Sequence, residues 1–219
     1  MKIRSAFGLT LSALFATSVF AADSQVLKLE FPPPKVTSTP APIRLPHLEA
    51  PNKPPPVINA PADVTNVAAG KTVTSSDPWP IIGELDMVTD GDKESEDGYY
   101  VELGEMQQWV QVDLEAPTEI YGIGLWHYHA QPRAYNDVIV QVSDDPEFAS
   151  GVTTIFNNDH DNSSEMGQGK DPAYLEKNHG RLIPGNKVTG RYVRFYSNGN
   201  TSDGLNHYIE VEVFGRAAK

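Results

Sequence analysis

Between Trp109 and His129 the chain reads WVQVDLEAPTEIYGIGLWHYH. Val110, Val112 and Leu114 alternate with Gln111 and Asp113, the period-2 pattern of a half-buried strand. Pro117 interrupts the pattern, so two strands, about 109–114 and 119–127, are expected with a Glu-Ala-Pro-Thr turn between them. In the second strand Tyr121, Ile123 and Leu125 share one face. Gly122 and Gly124 occupy the other, which predicts a bulky group lying close to the backbone there. The strand then delivers Trp126, His127, Tyr128 and His129 to a loop, the way a rigid sheet presents a binding site.

The same alternation recurs downstream. A short strand is expected at 72–75. Val138, Val140 and Val142 alternate with Ile139 and Gln141 over 137–143, and further strands fall at 152–156 and 192–196. Over 208–214, Ile209, Val211 and Val213 lie on one face and Glu210 and Glu212 on the other. The stretch 85–99 carries Asp86, Asp90, Asp92, Glu94, Glu96 and Asp97, punctuated by Gly91 and Gly98, and is too polar for a core element. Residues 157–170, NNDHDNSSEMGQGK, read as a long polar loop. No stretch keeps a helical period over three turns. The pattern predicts an all-β fold, an antiparallel β-sandwich or barrel whose connecting loops gather at its two ends.

The beginning of the chain is patterned differently. Lys2 and Arg4 precede an apolar, small-residue run over 6–20, and Val19-Phe20-Ala21 fits a cleavage site. This predicts a secretory signal peptide over 1–21, cut after Ala21 or Ala22. No Cys follows it, which excludes a lipoprotein, and no other run is apolar enough for a transmembrane anchor. The mature protein is expected to be soluble and secreted, periplasmic or at the cell surface. Eleven of the 18 prolines lie between Phe31 and Pro61, so 22–62 is expected to be a disordered, extended linker, acting as a spacer or as a partner's docking segment. The globular domain is expected over 63–216.

Composition narrows the chemistry. Without cysteine there are no disulfides, no thiolate metal sites and no cysteine catalysis. The net charge is −12, and residues 63–219 alone carry −15. That balance repels phosphate backbones and anionic membranes, so nucleic acid is not an expected partner. Clustered carboxylates are compatible with calcium, which takes oxygen ligands, or simply with solubility.

Several segments, in order, resemble discoidin domains, also called coagulation factor V/VIII type C domains. They are Asn66-Val67-Ala68-Ala69-Gly70-Lys71-Thr72-Val73-Thr74, Val88-Thr89-Asp90-Gly91-Asp92, Trp109-Val110-Gln111-Val112-Asp113-Leu114, 137–145, Arg191-Tyr192-Val193-Arg194 and Glu210-Val211-Glu212-Val213-Phe214-Gly215. The resemblance covers about 63–216. It implies a galactose-binding-like jelly roll, a non-catalytic carbohydrate-binding role and one structural calcium ion. Carried over by position, the calcium ligands would be the Met87 carbonyl, Asp90, Asp92, a Ser95 oxygen and Glu210; the alternative is an ordinary acidic turn. The resemblance places a ligand-contacting arginine at Arg133, with Tyr135 beside it. His127 and His129 on the preceding strand, and Asn198, Asn200 and His207 around the 199–204 loop, would line the same end. The alternatives are histidines satisfied by loop carbonyls and asparagines serving turn chemistry. Trp79 is either a platform for a sugar ring or a packed loop side chain.

Two further roles compete with a glycan or glycosylated surface as the partner. The same loops would grip a polypeptide in an adhesion or scaffold domain. His127-x-His129 together with Asp159-His160-Asp161 would form a zinc hydrolase site only if three ligands converge. The sequence contains no nucleophile elbow, phosphate-binding Gly loop or dinucleotide fingerprint.

Overall fold

A computed structural model describes residues 23–35 and 42–218. The expected signal peptide and part of the Pro-rich segment lie outside these residues. The strands are β1 Ser24–Val26, β2 Asn59–Pro61, β3 Thr65–Asn66, β4 Val73–Ser75, β5 Val101–Leu103, β6 Gln107–His127, β7 Ile139–Ser143, β8 Thr153–Asn157, β9 Arg181–Asn198 and β10 Asn206–Ala217. A five-residue 3₁₀ turn, Leu85–Thr89, precedes the Asp90-Gly91-Asp92 turn. All strand pairings are antiparallel, in the order β3-β10-β6-β9-β7-β8, with β4 added to β6 and β5 to β10. This is the galactose-binding-like β-sandwich.

The two strands expected on either side of Pro117 are one. β6 runs unbroken for 21 residues, and the turn is replaced by a register shift against β9 between Asp113 and Thr118, with Glu115 at φ 68°. The partner strand β9, 18 residues long, pairs with it on both sides of the shift, so the backbone never has to reverse. On one side of the bend β6 pairs with β4, on the other with β10. The strand thereby carries a single core through both halves of the sandwich.

That core contains Val110, Val112, Leu114, Ile123 and Leu125 of β6, with Val140, Val142, Val193, Phe195, Val211 and Val213 from its neighbours. A second register shift, between Ile120 and Gly122, changes the phase of β6. Ile120 enters this core, whereas Tyr121, expected to share a face with Ile123, packs on the outside. Likewise the shift between Tyr208 and Glu210 turns Tyr208 inward and sends Ile209 to a small cluster with Trp126 and Tyr128.

The Pro-rich segment is not a free spacer where it is described. β1 and β2 pair with each other, and Leu27, Ile58, Ala60 and Val64 bury against Tyr121 and Leu182 on the outer face of β6 and β9. The two glycines permit this. A Cβ on Gly122 would lie 2.9 Å from Leu27 Cδ1, and one on Gly124 would lie 2.9 Å from Leu29 Cδ2. The bulky group expected over these glycines is the N-terminal arm, joined at Gly124 by the Trp126 ring, which a Cβ there would meet at 2.7 Å. Farther along, Leu48 bridges to Ala173, and Arg181 Nη1 donates to both carboxylate oxygens of Glu49, at 2.7 and 2.8 Å. Proline keeps the arm extended, while the few interspersed apolar side chains fasten it.

Candidate functional site

Four loops meet at one end of the sandwich. Residues 134–136 pair with 198–201 through Asn136 N–Gly199 O, Asn198 N–Asn136 O and Thr201 N–Ala134 O, each near 3.0 Å. Asn206, first residue of β10, donates from Nδ2 to the carbonyls of Gly104 and Met106, while its Oδ1 accepts from Ser197 Oγ and Gly199 N. Asp77 caps the backbone N–H of Trp79 and lies next to Gly104. Glu105 in turn lies against Gly204, and Asp203 reaches Arg133. The loops carrying Trp79, Met106, Arg133 and Asp203 are therefore one continuous surface.

Arg133 is the organising cation there. Its guanidinium lies 4.7 Å from the Tyr128 ring, donates to Gln131 Oε1 at 3.1 Å and approaches Asp203 Oδ2 at 3.4 Å, and its buried Nε has no partner. Only 5% of the residue is exposed, so the groups it presents to solvent are Gln131 and Asp203. Asn200 is engaged in the turn: Nδ2 donates to Asp203 Oδ1 and Leu205 O, and Oδ1 accepts from the amides of Ser202 and Asp203. Asn198 donates to Asp137. Trp79 stands out of this surface at 84% exposure, with Met106 at 78%, Ile81 at 58% and Tyr99 at 54%.

The histidines lie deeper. His127, fully buried, pairs through Nδ1 with Glu176 Oε1 at 2.7 Å and stacks on Tyr135 at 4.2 Å. His207 accepts from the Tyr135 hydroxyl on Nδ1 at 2.8 Å and donates from Nε2 to Glu102 at 3.1 Å. Burial, reinforced by Arg133, pushes His207 down to about 4, which keeps it neutral and fits this tautomer; burial also pushes Glu102 up. His129 lies beyond the end of β6 and meets the Lys93 carbonyl through Nε2 at 3.1 Å. These side chains, read from the sequence as a rim, form a buried polar layer beneath it. Glu102, Glu176, Asp203 and Asn206 were not singled out in the sequence, because their role depends on long-range pairing. Asp203, in a Ser-Asp-Gly turn, was the one with a local signal.

The acidic turn lies over β10. Gly91 N donates to Glu210 Oε2 at 3.1 Å, and Glu210 Oε1, fully buried, has no partner. Burial pushes the Glu210 carboxyl up to about 8, and Asp90 and Glu212 add to the shift. Asp90 and Asp92 are exposed and cap the backbone of the turn. Ser95 Oγ accepts from the amides of His129 and Ala130, at 3.0 and 2.9 Å, so its carbonyl is the oxygen left to offer. A cation at this turn would meet Glu210 Oε1 as an otherwise orphaned ligand.

A zinc centre joining His127 and His129 to the 159–161 loop is not assembled. Among the described residues the one close group of three metal-ligating side chains is Asp137, Asp159 and Asp161, and it contains no histidine.

Residues 87–195 match the F5/F8 type C family model described as NedA-like, galactose-binding domain. Residues 87–195 belong to an F5/F8 type C domain. The match runs from the acidic turn into β9, so the N-terminal arm and β10 lie outside it. The F5/F8 type C domain is similar to part of a family 89 glycoside hydrolase from Clostridium perfringens, solved with 2-acetamido-1,2-dideoxynojirmycin. The TM-score is 0.51 and the identity 20%, over 70% of this chain but 15% of the hydrolase chain. A chitosan-binding module of a Paenibacillus sp. IK-5 chitosanase/glucanase matches with TM-score 0.45 and 20% identity, over 69% of this chain and 99% of the module. A fucolectin from striped bass (Morone saxatilis) serum matches with TM-score 0.46 and 20% identity, over 71% and 50% of the two chains. No curated protein matches the chain significantly.

Proposed function

We propose that this F5/F8 type C domain is a non-catalytic carbohydrate-binding module that acts outside the cytoplasm and holds a glycan or glycosylated surface through its Trp79–Arg133 end. The observation that carries the reading is Trp79. The residue is 84% exposed, and contacts through Asp77, Gly104 and Glu105 link its loop to the one whose Asp203, with Gln131, fixes the Arg133 guanidinium. A sugar needs both features, an aromatic face for its C–H side and directional donors and acceptors for its hydroxyls. The family's description as galactose-binding supports the same reading. His127, Tyr135 and His207 act as the rigid floor, because a buried and fully packed layer holds the loops in one geometry.

A structural calcium belongs to this reading. Asp90, the Met87 and Ser95 carbonyls and Glu210 would hold it, with Asp92 shaping the turn. The ion would supply positive charge beside Glu210 Oε1, which has no hydrogen-bond partner. A second reading, adhesion to a protein partner, is favoured by Ile81, Tyr99 and Met106, which like Trp79 are large apolar side chains left exposed. Glycan-array binding with a competing free sugar separates the two: displacement by sugar supports the carbohydrate reading, and binding to a protein that no sugar displaces supports the other.

A further inference from the structure

A cleft is lined by Tyr135, Asn136 and Asp137, outside the loops that carry Trp79 and Met106. It has a volume of about 350 Å³ and is walled on one side by Leu45, Pro46 and His47 of the Pro-rich arm. The His47 and His160 rings stack across its edge, 3.9 Å apart and 24° from parallel. Asn158 lines the cleft and is only 6% exposed. Its Oδ1 accepts from Val138 N at 2.7 Å, which fixes the amide orientation and leaves Nδ2 as a buried donor with no partner. His160 Nε2 is also buried without a partner. Asp137 and Asp161 line the same space, and with Asp159 their carboxylate oxygens approach within 4.8 Å of one another.

We propose that this cleft is a second saccharide subsite, completed by the arm, that takes one uncharged pyranose unit. The donor and acceptor inventory selects the ligand. Hydroxyl groups both donate and accept, so one sugar ring can donate to Asp137 and Asp161 and accept from Asn158 Nδ2. A bare cation would satisfy the carboxylates but not the amide donor. Uronates and sulfated sugars are repelled by the clustered negative charge. The volume is at the lower end of the small-molecule range, about 300 Å³, which suits a monosaccharide. The inference rests on the carbohydrate-binding reading, but at a site separate from Trp79.

Side-chain amide NMR of the mature chain tests it. Galactose, mannose, N-acetylglucosamine and galacturonate are titrated into the parent protein and into His47→Asn, Asp161→Asn and Trp79→Ala. Both cleft substitutions fall on exposed residues and leave the core intact. The expected result is that at least one neutral sugar moves the Asn158 Nδ2 resonances while galacturonate does not. The response should weaken at least about fivefold in the two cleft variants and persist in Trp79→Ala. If a neutral sugar moves the Trp79 indole, leaves Asn158 still and binds both cleft variants as it binds the parent, the subsite is refuted and the carbohydrate reading stands. If no sugar moves either signal, both fall. If calcium chloride alone moves Asn158 and sugars do not, the cleft is a cation site and the proposal is overturned.

Discussion

Gly91 and Glu210 are 119 residues apart in the chain, and the Gly91 amide donates to Glu210 Oε2 across 3.1 Å. This contact closes the acidic turn onto the last strand. The same loop continues to Ser95, which holds the amides of His129 and Ala130, the start of the segment that carries Arg133. Events at the turn are thus connected to the loop that carries Arg133 by a short covalent and hydrogen-bonded path.

Calcium should therefore stabilise the fold. We expect the melting temperature to rise by roughly 5 °C or more in saturating calcium and to fall back on chelation. The gain should be greater at pH 8 than at pH 5, because protons compete for a Glu210 carboxyl pushed up to about 8. Glu210→Gln should remove most of the response. Calorimetric melts with and without chelator at the two pH values check this; a Glu210→Gln response equal to the parent's would place the ion elsewhere.

His207 gives a pH dependence of opposite origin. Its folded value, about 4, is depressed by burial and by Arg133, so the unfolded chain takes up a proton that the folded chain refuses. Stability should decline as pH falls from about 6.5, the ordinary histidine value, towards 4. His207→Gln, which keeps hydrogen-bonding capacity, should be less stable at pH 7 yet show a flatter decline. Denaturant melts between pH 7 and 4.5 measure the two slopes, and parallel slopes would assign the acid sensitivity to another group.

The arm is predicted to be part of the domain's stability. Leu27→Asp places a charge against Gly122, Ile58 and Leu182, and should cost about 2 kcal/mol or more. It should also accelerate proteolysis within 28–57 while the β6–β9 core stays protected from hydrogen exchange. Unchanged cleavage would show that the arm is held by the Glu49–Arg181 contact instead.

The alternation of Val110, Val112 and Leu114, and of Val138, Val140 and Val142, was sufficient to read antiparallel strands and most of the inner core. The Gly122 and Gly124 positions announced a close neighbour without saying which. The arm escaped detection because Leu27, Leu29 and Ile58 stand singly among prolines and polar residues, and their burial depends on β6 and β9. Tyr121 and Ile209 were assigned to the wrong face because each lies next to a register shift, which no local alternation records. The histidines were readable as a cluster but not as buried. Their depth follows from Glu102 and Glu176, which come from distant segments.

The most direct test of the central claim is glycan-array binding followed by calorimetry on the parent and Trp79→Ala, with free sugar as competitor. Because Trp79 is exposed, its removal should leave the melting temperature unchanged and weaken glycan binding by about 2 kcal/mol, roughly thirtyfold. Displacement of the parent by free sugar, with that loss in the variant, is the predicted result. Full glycan affinity in Trp79→Ala, or a parent that binds no glycan at all, would contradict the account.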